Sequence, residues 1–261
     1  MRRHDPGMND LSDDDRAAYE RDGFLIRRGV VTPGEAAALA AHAARYAAEA
    51  PDRARLNRLT LHHAHPTLDA APLLAPLARP AILGLSEALL GAPAMARYYC
   101  LNIEIPSADT SMRWHRDSGF FHAPSARVDA AAWRGERPFS QVQWNLALIP
   151  DDCLRIVPGS HHREPTAAEA PFLALDERRD GMPGELIVDL APGDAVVYHC
   201  DLLHGVCNPR PRPRLTVHWY WLRAGAHDPT GPGVLGQLAP AEFTRRLAAP
   251  LAALAVEASP G

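Results

Sequence analysis

The pattern of hydrophobic and polar positions changes near residue 95. Before that point, polar and Ala-rich stretches bounded by cap and turn residues predict three helices, at 11–22, 33–49 and 80–90. The short apolar run Gly23–Ile26 predicts a first strand between the first two helices. The second helix has a capping-box start, because the Thr32 hydroxyl can cap the backbone while Glu35 reaches back to it.

After residue 95 the chain becomes a series of short apolar, β-branched and aromatic runs separated by Gly, Pro and Asp turns. These runs predict strands at 95–105, 111–117, 139–149, 154–158, 185–190, 194–204 and 214–222. Early helices followed by many antiparallel strands favour a mainly β fold with flanking α: a double-stranded β-helix, or jelly roll, with helices packed on one outer face.

We expect residues 1–261 to form a single domain. Its first ten residues are expected to be flexible, and 223–261 to form a C-terminal loop and a helical segment at 238–258. At 261 residues and 28.4 kDa, the chain is long enough to bury a sizeable core as one domain.

Composition excludes several classes of partner. The net charge of -4 and the pI near 6.3 argue against a nucleic-acid-binding surface, and every basic side chain is Arg. No apolar run approaches the roughly 20 residues that span a bilayer, and the N-terminus lacks the apolar core of a secretory signal. We therefore expect a soluble, cytoplasmic protein, monomeric or weakly homo-oligomeric, that acts on a small molecule.

Cysteine usage agrees with that compartment. The four cysteines are too few and too dispersed for a disulfide framework, so reduced thiols are expected at Cys100, Cys153, Cys200 and Cys207. Cys200, His204 and Cys207 leave a zinc site as an alternative, although the close-set fourth ligand of a structural site is missing.

Metal chemistry enters with the stretch Trp114-His115-Arg116-Asp117. Successive side chains on a strand point to opposite faces, so His115 and Asp117 share one face and Arg116 points away. With His204 as a third ligand they would make a 2-His-1-carboxylate triad, which leaves coordination positions open and suits non-haem Fe(II) oxygenases.

A rival H-x-D motif occurs at His199-Cys200-Asp201. If 194–204 is one strand, alternation places His204 on the face opposite His199 and Asp201, so His204 is not a natural partner for that pair.

The next strand introduces a cation. If 194–204 and 214–222 pair antiparallel around the Pro-rich loop 205–213, Arg214 lies opposite His204, with Cβ atoms about 4.5–5.5 Å apart. That arrangement suggests 2-oxoglutarate, whose keto-acid end can chelate Fe(II) while its distal carboxylate binds the Arg214 fork. Thr216 shares the face of Arg214 and could add a hydroxyl, whereas Arg210 and Arg212 are interpreted as surface residues.

Several motifs then occur in one order along the chain: His115-Arg116-Asp117, Cys153–His161 with its Pro-Gly-Ser-His end, Gly193-Asp194, His204-Gly205 and Arg214. Together they resemble the phytanoyl-CoA dioxygenase family, and the similarity covers roughly residues 11–222. The resemblance implies a jelly-roll Fe(II)/2-oxoglutarate oxygenase with iron ligands His115, Asp117 and His204, and with Arg214 as the co-substrate anchor.

The resemblance also implies roles around the metal. Asn102 matches an asparagine that contacts the oxo-acid in related ectoine hydroxylases, and Trp144 matches a tryptophan near the co-substrate. Tyr98 and Phe121 fall at substrate-contacting positions, although core packing is an equal alternative for each aromatic residue. With Gln141 and Gln143, these aromatic and amide groups suit a small organic substrate with polar groups. The loop His62-His63-Ala64-His65 could line a pocket or be a solvated loop.

Three features depart from the family. Val206 stands where a Ser or Thr usually follows the distal histidine, and the loop Ile149–Asp152 is shortened, which we expect to alter a rim of the sheet but no ligand. No lysine can serve the co-substrate. Asp117 is present, whereas related halogenating enzymes replace this carboxylate with a small residue, so hydroxylation or another oxidation is favoured.

The predicted activity is oxidation of a C–H bond of a metabolite or natural-product intermediate by Fe(II), 2-oxoglutarate and O₂, with release of succinate and CO₂. Two alternatives stay open: a cupin-like metalloenzyme that does not use 2-oxoglutarate, and a non-catalytic jelly-roll binding protein.

Overall fold

A computed structural model describes residues 11–49, 58–60, 71–91, 94–103, 111–117, 141–174, 181–208 and 213–223. Phe121, the histidines at 62–65 and the predicted helix at 238–258 lie outside these ranges. Among the described helices, none is both long and apolar enough to cross a membrane.

The predicted N-terminal elements are confirmed. Helix α1 spans Asp13–Asp22, strand β1 Phe24–Arg27, helix α2 Pro33–Glu49, strand β2 Arg58–Thr60, helix α3 Ala71–Leu74 with a following 3₁₀ turn Ala75–Ala78, and helix α4 Pro80–Leu90. The capping box forms as expected: Thr32 N–H donates to Glu35 Oε2 at 2.7 Å, and Glu35 N–H donates to Thr32 Oγ1 at 3.2 Å.

The remaining elements are mostly strands. They are β3 Ala94–Ile103, β4 Met112–His115, β5 Gln141–Ala147, β6 Leu154–Ile156, the 3₁₀ turn Ser160–His162, helix α5 Ala170–Leu173, and strands β7 Leu186–Ile187, β8 Ala195–His199, β9 His204–Val206 and β10 Leu215–Arg223.

The strands form two antiparallel sheets, which confirms the predicted jelly roll. The larger sheet has the order β1-β8-β5-β10-β3-β2, and the smaller has β4-β9-β6-β7. Helices α2–α4 contribute to one buried apolar cluster with the larger sheet, including Leu85 from α4 and the stacked indoles of Trp144 and Trp219. The helices therefore cover one face of this sheet and leave its other face for the second sheet and the site.

One predicted strand proves to be two. The run 194–204 is interrupted after His199 by a turn, and the chain then passes from the larger sheet into the smaller one as β9. Strand β9 pairs with β4 and β6, whereas β10 pairs with β3 and β5. The expected antiparallel pairing of Arg214 with His204 is therefore wrong.

Buried histidines lie where β1, β8 and the 3₁₀ turn meet. The rings of His161 and His199 are 5.0 Å apart, and His161 packs against Gly23, where a Cβ would lie 2.5 Å from Nδ1. Gly23 also has φ 83°, which suits glycine. Burial, with the neighbouring charge of His162, lowers the pKa of His161 to about 3, and burial with the charge of His161 places the pKa of His199 well below its usual value.

These histidines predict acid-sensitive stability. The unfolded chain protonates each near pH 6.5 while the folded protein does not, so stability is full above that pH and is lost as the pH falls toward the folded pKa. For each histidine the loss is about 1.4 kcal/mol per pH unit. We expect His161→Gln to reduce the pH slope of the unfolding free energy between pH 5.5 and 4 by about that amount, measured by urea denaturation. An unchanged slope would show that His161 titrates in the folded protein.

Candidate active site

Three ligand-bearing residues converge where the smaller sheet faces the larger one. His115 ends β4 directly opposite His204, the first residue of β9, and Asp117 follows two residues later. His115 Nε2 lies 3.4 Å from Asp117 Oδ1, and His204 Nε2 lies 3.5 Å from Asp117 Oδ2. All three side chains are buried, and their ligand atoms lie within 4.8 Å of one another. The structure thus assembles the triad that the sequence predicts.

The ring nitrogens of both histidines are assigned by their contacts. His115 Nδ1 lies 2.8 Å from the carbonyl oxygen of Arg113, and His204 Nδ1 lies 2.9 Å from that of Leu202. A carbonyl only accepts, so each Nδ1 carries the proton and each Nε2 offers a lone pair beside Asp117. Backbone carbonyls in this position orient metal-ligating imidazoles and raise their basicity.

The charge states suit a divalent metal. Burial, together with the charge of His204, lowers the pKa of His115, so its imidazole is neutral near pH 7. In the metal-free site burial would raise the pKa of Asp117, but the charge of His204 and the hydrogen bonds that each imidazole donates when it is also protonated at Nε2 outweigh it and hold that pKa well below its usual range. Two imidazole nitrogens and one carboxylate are the donor set of the facial triad, and this set fits Fe(II).

A neighbouring amide fixes the carboxylate. Gln143, in the middle of β5, is fully buried and donates through Nε2 to Asp117 Oδ2. Gln143 was expected to contact substrate, and the structure gives it a direct contact with an expected ligand.

The triad opens onto a cavity, and Arg214 lines the same cavity. Arg214 immediately precedes β10 and is 7% exposed. Its Nε lies 3.4 Å from Oδ1 of buried Asp151, an oxygen that also accepts from the backbone N–H of Cys153 at 3.2 Å. The shortened loop therefore reaches the predicted anchor, contrary to the expectation that it alters only a rim.

Other polar side chains on the cavity wall were not anticipated. His218 and Tyr220 continue the face of β10 that begins at Arg214, and Asn145 and Tyr198 face them from β5 and β8. His218 Nδ1 lies 2.9 Å from the Trp144 carbonyl, and Asn145 Nδ2 donates to Tyr198 Oη at 3.3 Å. Alternation from Arg214 and Thr216 was the signal that could have identified His218 and Tyr220.

The structure corrects the predicted position of Trp144. It was predicted near the co-substrate, but its side chain lies on the face of β5 that packs on the helices, where Nε1 donates to Ser86 Oγ at 3.1 Å. Since Gln143 faces the site, its neighbour must face the opposite side. Trp144 therefore belongs to the core.

The other predicted contacts keep their status as predictions. Thr216 is buried, and Gln141 is buried at the start of β5. Asn102 lies opposite Thr216, and Tyr98 opposite Tyr220, in the register of β3 with β10. The structure describes the backbone of Asn102 and Tyr98 but not their side chains.

The rival motif does not share the cavity. His199, Cys200 and Asp201 also bring ligand atoms within 4.8 Å, but Nδ1 of His199 accepts from the backbone N–H of Asp201 at 2.9 Å. His199 lies instead among Tyr19 and His161. Within the described part of the chain, Cys200, His204 and Cys207 do not form such a group, so the zinc alternative is not supported.

Comparisons with known proteins agree with this geometry. The L-proline trans-4-hydroxylase of Streptomyces griseoviridis is 24% identical over 165 residues, which are 53% of this chain and 58% of that protein, so the match spans less than two thirds of the relative. Among solved structures, the non-haem α-ketoglutarate-dependent epimerase SnoN of nogalamycin biosynthesis aligns with a TM-score of 0.60 and 24% identity, over 82% of this chain and 84% of that one.

A further structure supports the fold. EctD from S. alaskensis, solved with 2-oxoglutarate and 5-hydroxyectoine, aligns with a TM-score of 0.61 and 19% identity, over 84% of this chain and 78% of that one. At such identities the likeness shows the jelly-roll fold. The model of the family described as phytanoyl-CoA dioxygenase (PhyH) matches residues 19–206, which include all three triad residues. The chain therefore belongs to the phytanoyl-CoA dioxygenase family.

Proposed function

We propose that this protein is a non-haem Fe(II)/2-oxoglutarate-dependent oxygenase that hydroxylates, or otherwise oxidises, a C–H bond of a small metabolite or natural-product intermediate. The observation that supports it is the sharing of one cavity by a facial triad and a buried arginine. Family membership supports the same conclusion.

His115, Asp117 and His204 would hold the iron. Together with 2-oxoglutarate and O₂, the bound metal supplies oxidation of a C–H bond, coupled to decarboxylation of the oxo-acid to succinate and CO₂. The protein's own contribution is to hold both imidazoles in the ligating tautomer and Asp117 as a carboxylate. Because the carboxylate is present, halogenation is disfavoured.

Arg214 would bind the distal carboxylate of the oxo-acid. With Nε against Asp151, the two terminal nitrogens of the guanidinium are left for a bidentate contact. Arg214 and the three triad side chains are all at most 7% exposed, so water is largely excluded and charge-assisted hydrogen bonds are strengthened. His218 and Tyr198 line the same cavity.

We further infer that residues 1–261 act as one domain, monomeric or weakly homo-oligomeric, in the cytoplasm. The side chains of Cys153, Cys200 and Cys207 are buried and form no disulfide among the described residues.

The decisive experiment is an anaerobic titration of metal-free protein with Fe(II) and then 2-oxoglutarate, followed by absorption spectroscopy. Chelation of the oxo-acid should give a visible charge-transfer band. Tight metal binding without a band would favour the cupin-like metalloenzyme that does not use 2-oxoglutarate, and absence of both would favour a non-catalytic binding protein. Consumption of 2-oxoglutarate with formation of succinate would exclude the binding-protein alternative.

Gln143 offers a prediction at the metal. Gln143→Leu should weaken Fe(II) binding by about 10–100-fold, the usual cost of removing the hydrogen-bond partner of a metal ligand. The measurement is anaerobic competition with a chromophoric chelator. Gln141→Leu is the matched control, because Gln141 is buried two residues earlier on the same strand and should keep wild-type affinity. Equal affinities for both variants would contradict the role assigned to Gln143.

A further inference from the structure

Arg116 stands between two triad residues, and its side chain extends away from the cavity into the protein. It is 0% exposed. Nη1 donates to the carbonyl oxygens of Ser160, at 2.8 Å, and Asp201, and Nη2 donates to that of Arg163 at 3.1 Å. Burial lowers the pKa of Arg116 to about 10, against the opposing charge of Asp201, so the guanidinium remains charged at neutral pH. A buried charge is costly unless it is hydrogen-bonded, and here backbone carbonyls accept from it.

The strand pairing that joins the triad is short. Two pairs connect β4 to β9, Met112 with Val206 and His115 with His204, and the register shifts between them. The pairing of β4 with β9 alone therefore fixes the position of His204 relative to His115 and Asp117 only loosely. Beside the pairing of β9 with β6, which includes Ile156 with His204, further definition comes from the turn Cys200–Leu203, which leads into His204.

That turn is held by the segment carrying Arg116. The backbone N–H of Asp117 donates to the carbonyl of Cys200 at 2.9 Å, and Arg116 donates to the next carbonyl, that of Asp201. The first half of the turn is thus bonded directly to the H-x-D segment.

The second half of the turn is held through Ser160. The N–H of Leu203 donates to Ser160 Oγ at 2.8 Å, and the carbonyl of Leu203 accepts from Val157 N–H at 2.9 Å. Since Arg116 also binds the carbonyl of Ser160, a continuous path of hydrogen bonds runs from Arg116 through Ser160 to Leu203, the residue before His204.

We propose that Arg116 is a positioning residue for the metal ligand His204: its guanidinium ties the turn Cys200–Leu203 and Ser160 to the H-x-D segment and so sets the spacing of the triad. The inference rests on the proposed metal site. A planar fork with several donors is needed, because one side chain must reach carbonyls on separate segments.

The test compares Arg116→Met and Arg116→Lys with the control Arg155→Met, since Arg155 is a half-buried arginine of the same sheet. Fe(II) affinity of the metal-free protein is measured anaerobically by chelator competition, and ligand geometry by the visible spectrum with Co(II). We expect Arg116→Met to bind Fe(II) about 10–100-fold more weakly, with an altered Co(II) spectrum. Arg116→Lys should retain part of the affinity, and Arg155→Met should match wild type.

A purely structural role for Arg116 would have a different signature. The unfolding temperature of the metal-free variant would fall, while the affinity of the folded protein for Fe(II) and the Co(II) spectrum would stay unchanged. That result would overturn the proposal.

Ser160→Ala provides a second variant in case Arg116→Met does not fold. It removes the acceptor of the Leu203 N–H and should also weaken Fe(II) binding. The double variant with Arg116→Lys should show less than the sum of the two effects, because both interrupt one path. Additive effects would refute that path.

The wild-type protein separates failure of this inference from failure of the proposed function. If wild type binds no Fe(II), the proposed function fails together with this inference. If wild type binds Fe(II) and gives the oxo-acid band, and Arg116→Met behaves identically, this inference alone fails.

Discussion

Replacing His204 with alanine is expected to weaken Fe(II) binding by at least ~100-fold and to abolish the charge-transfer band with 2-oxoglutarate. Loss of an outer hydrogen-bond partner of a ligand already costs about 10–100-fold, and loss of the ligand itself should cost more. His204 Nε2 lies 3.5 Å from Asp117 Oδ2, and its ring lies 4.2 Å from that of His115, so the substitution removes one of the three donor groups that converge at this site.

The measurement separates folding from binding. Thermal unfolding of metal-free His204→Ala should resemble that of wild type, while the stabilisation by added Fe(II), about 2.7 kcal/mol at 100 times the dissociation constant, should disappear. His218→Asn is the matched control, because it alters another imidazole of the same cavity that is not part of the ligand group. It should keep its metal-induced stabilisation. Retention of tight Fe(II) binding by His204→Ala would exclude it from the metal site.

That His115, Asp117 and His204 lie together could be predicted from the sequence. The i, i+2 spacing of His115 and Asp117 places both on one face of a strand, and the family motifs identify His204. The structure brings His115 and His204 directly opposite each other. The jelly roll was also predictable, because short strands separated by turn residues are a property of the sequence itself.

The pairing of Arg214 was not predictable from periodicity. The run 194–204 contains no Gly or Pro to mark a break, yet the chain turns after His199 and changes sheets. The Arg116 guanidinium donates to that turn and Ser160 Oγ accepts from it, and both residues are distant from the turn in sequence. Tertiary contacts therefore override the local pattern at this point.

Two further errors have separate physical causes. Gln143 and Trp144 were both predicted to lie at the site, although neighbouring residues on a strand face opposite sides of the sheet. In the structure Gln143 faces the site and Trp144 faces the core. Asp151 was overlooked because the sequence cannot show that a buried carboxylate reaches across 63 positions to Arg214. Alternation applied consistently from Gln143 would have corrected the first error, but no local signal existed for the second.

Arg214→Ala is expected to raise the concentration of 2-oxoglutarate needed for half-saturation by roughly 100- to 1,000-fold while leaving Fe(II) affinity close to wild type. Removing one partner of a buried, hydrogen-bonded charge pair costs about 3–4 kcal/mol, which corresponds to that range. Arg214 contacts Asp151 rather than the triad, so its loss should spare the metal. The readouts are the charge-transfer band as a function of 2-oxoglutarate and succinate formation.

Three variants make this result interpretable. Arg214→Lys keeps the charge but loses the fork, so its affinity for the oxo-acid should lie between those of wild type and Arg214→Ala. Arg214→Ala alone would leave the Asp151 carboxylate buried without its arginine partner. The double variant Asp151→Asn/Arg214→Ala removes that charge as well, so it separates the loss of the co-substrate anchor from a loss of protein stability. Arg212→Ala, in the same Pro-rich loop, should match wild type. If Arg214→Ala saturates with 2-oxoglutarate as wild type does, the anchor lies elsewhere; if neither protein binds the oxo-acid while both bind Fe(II), the metal serves a reaction that does not use it.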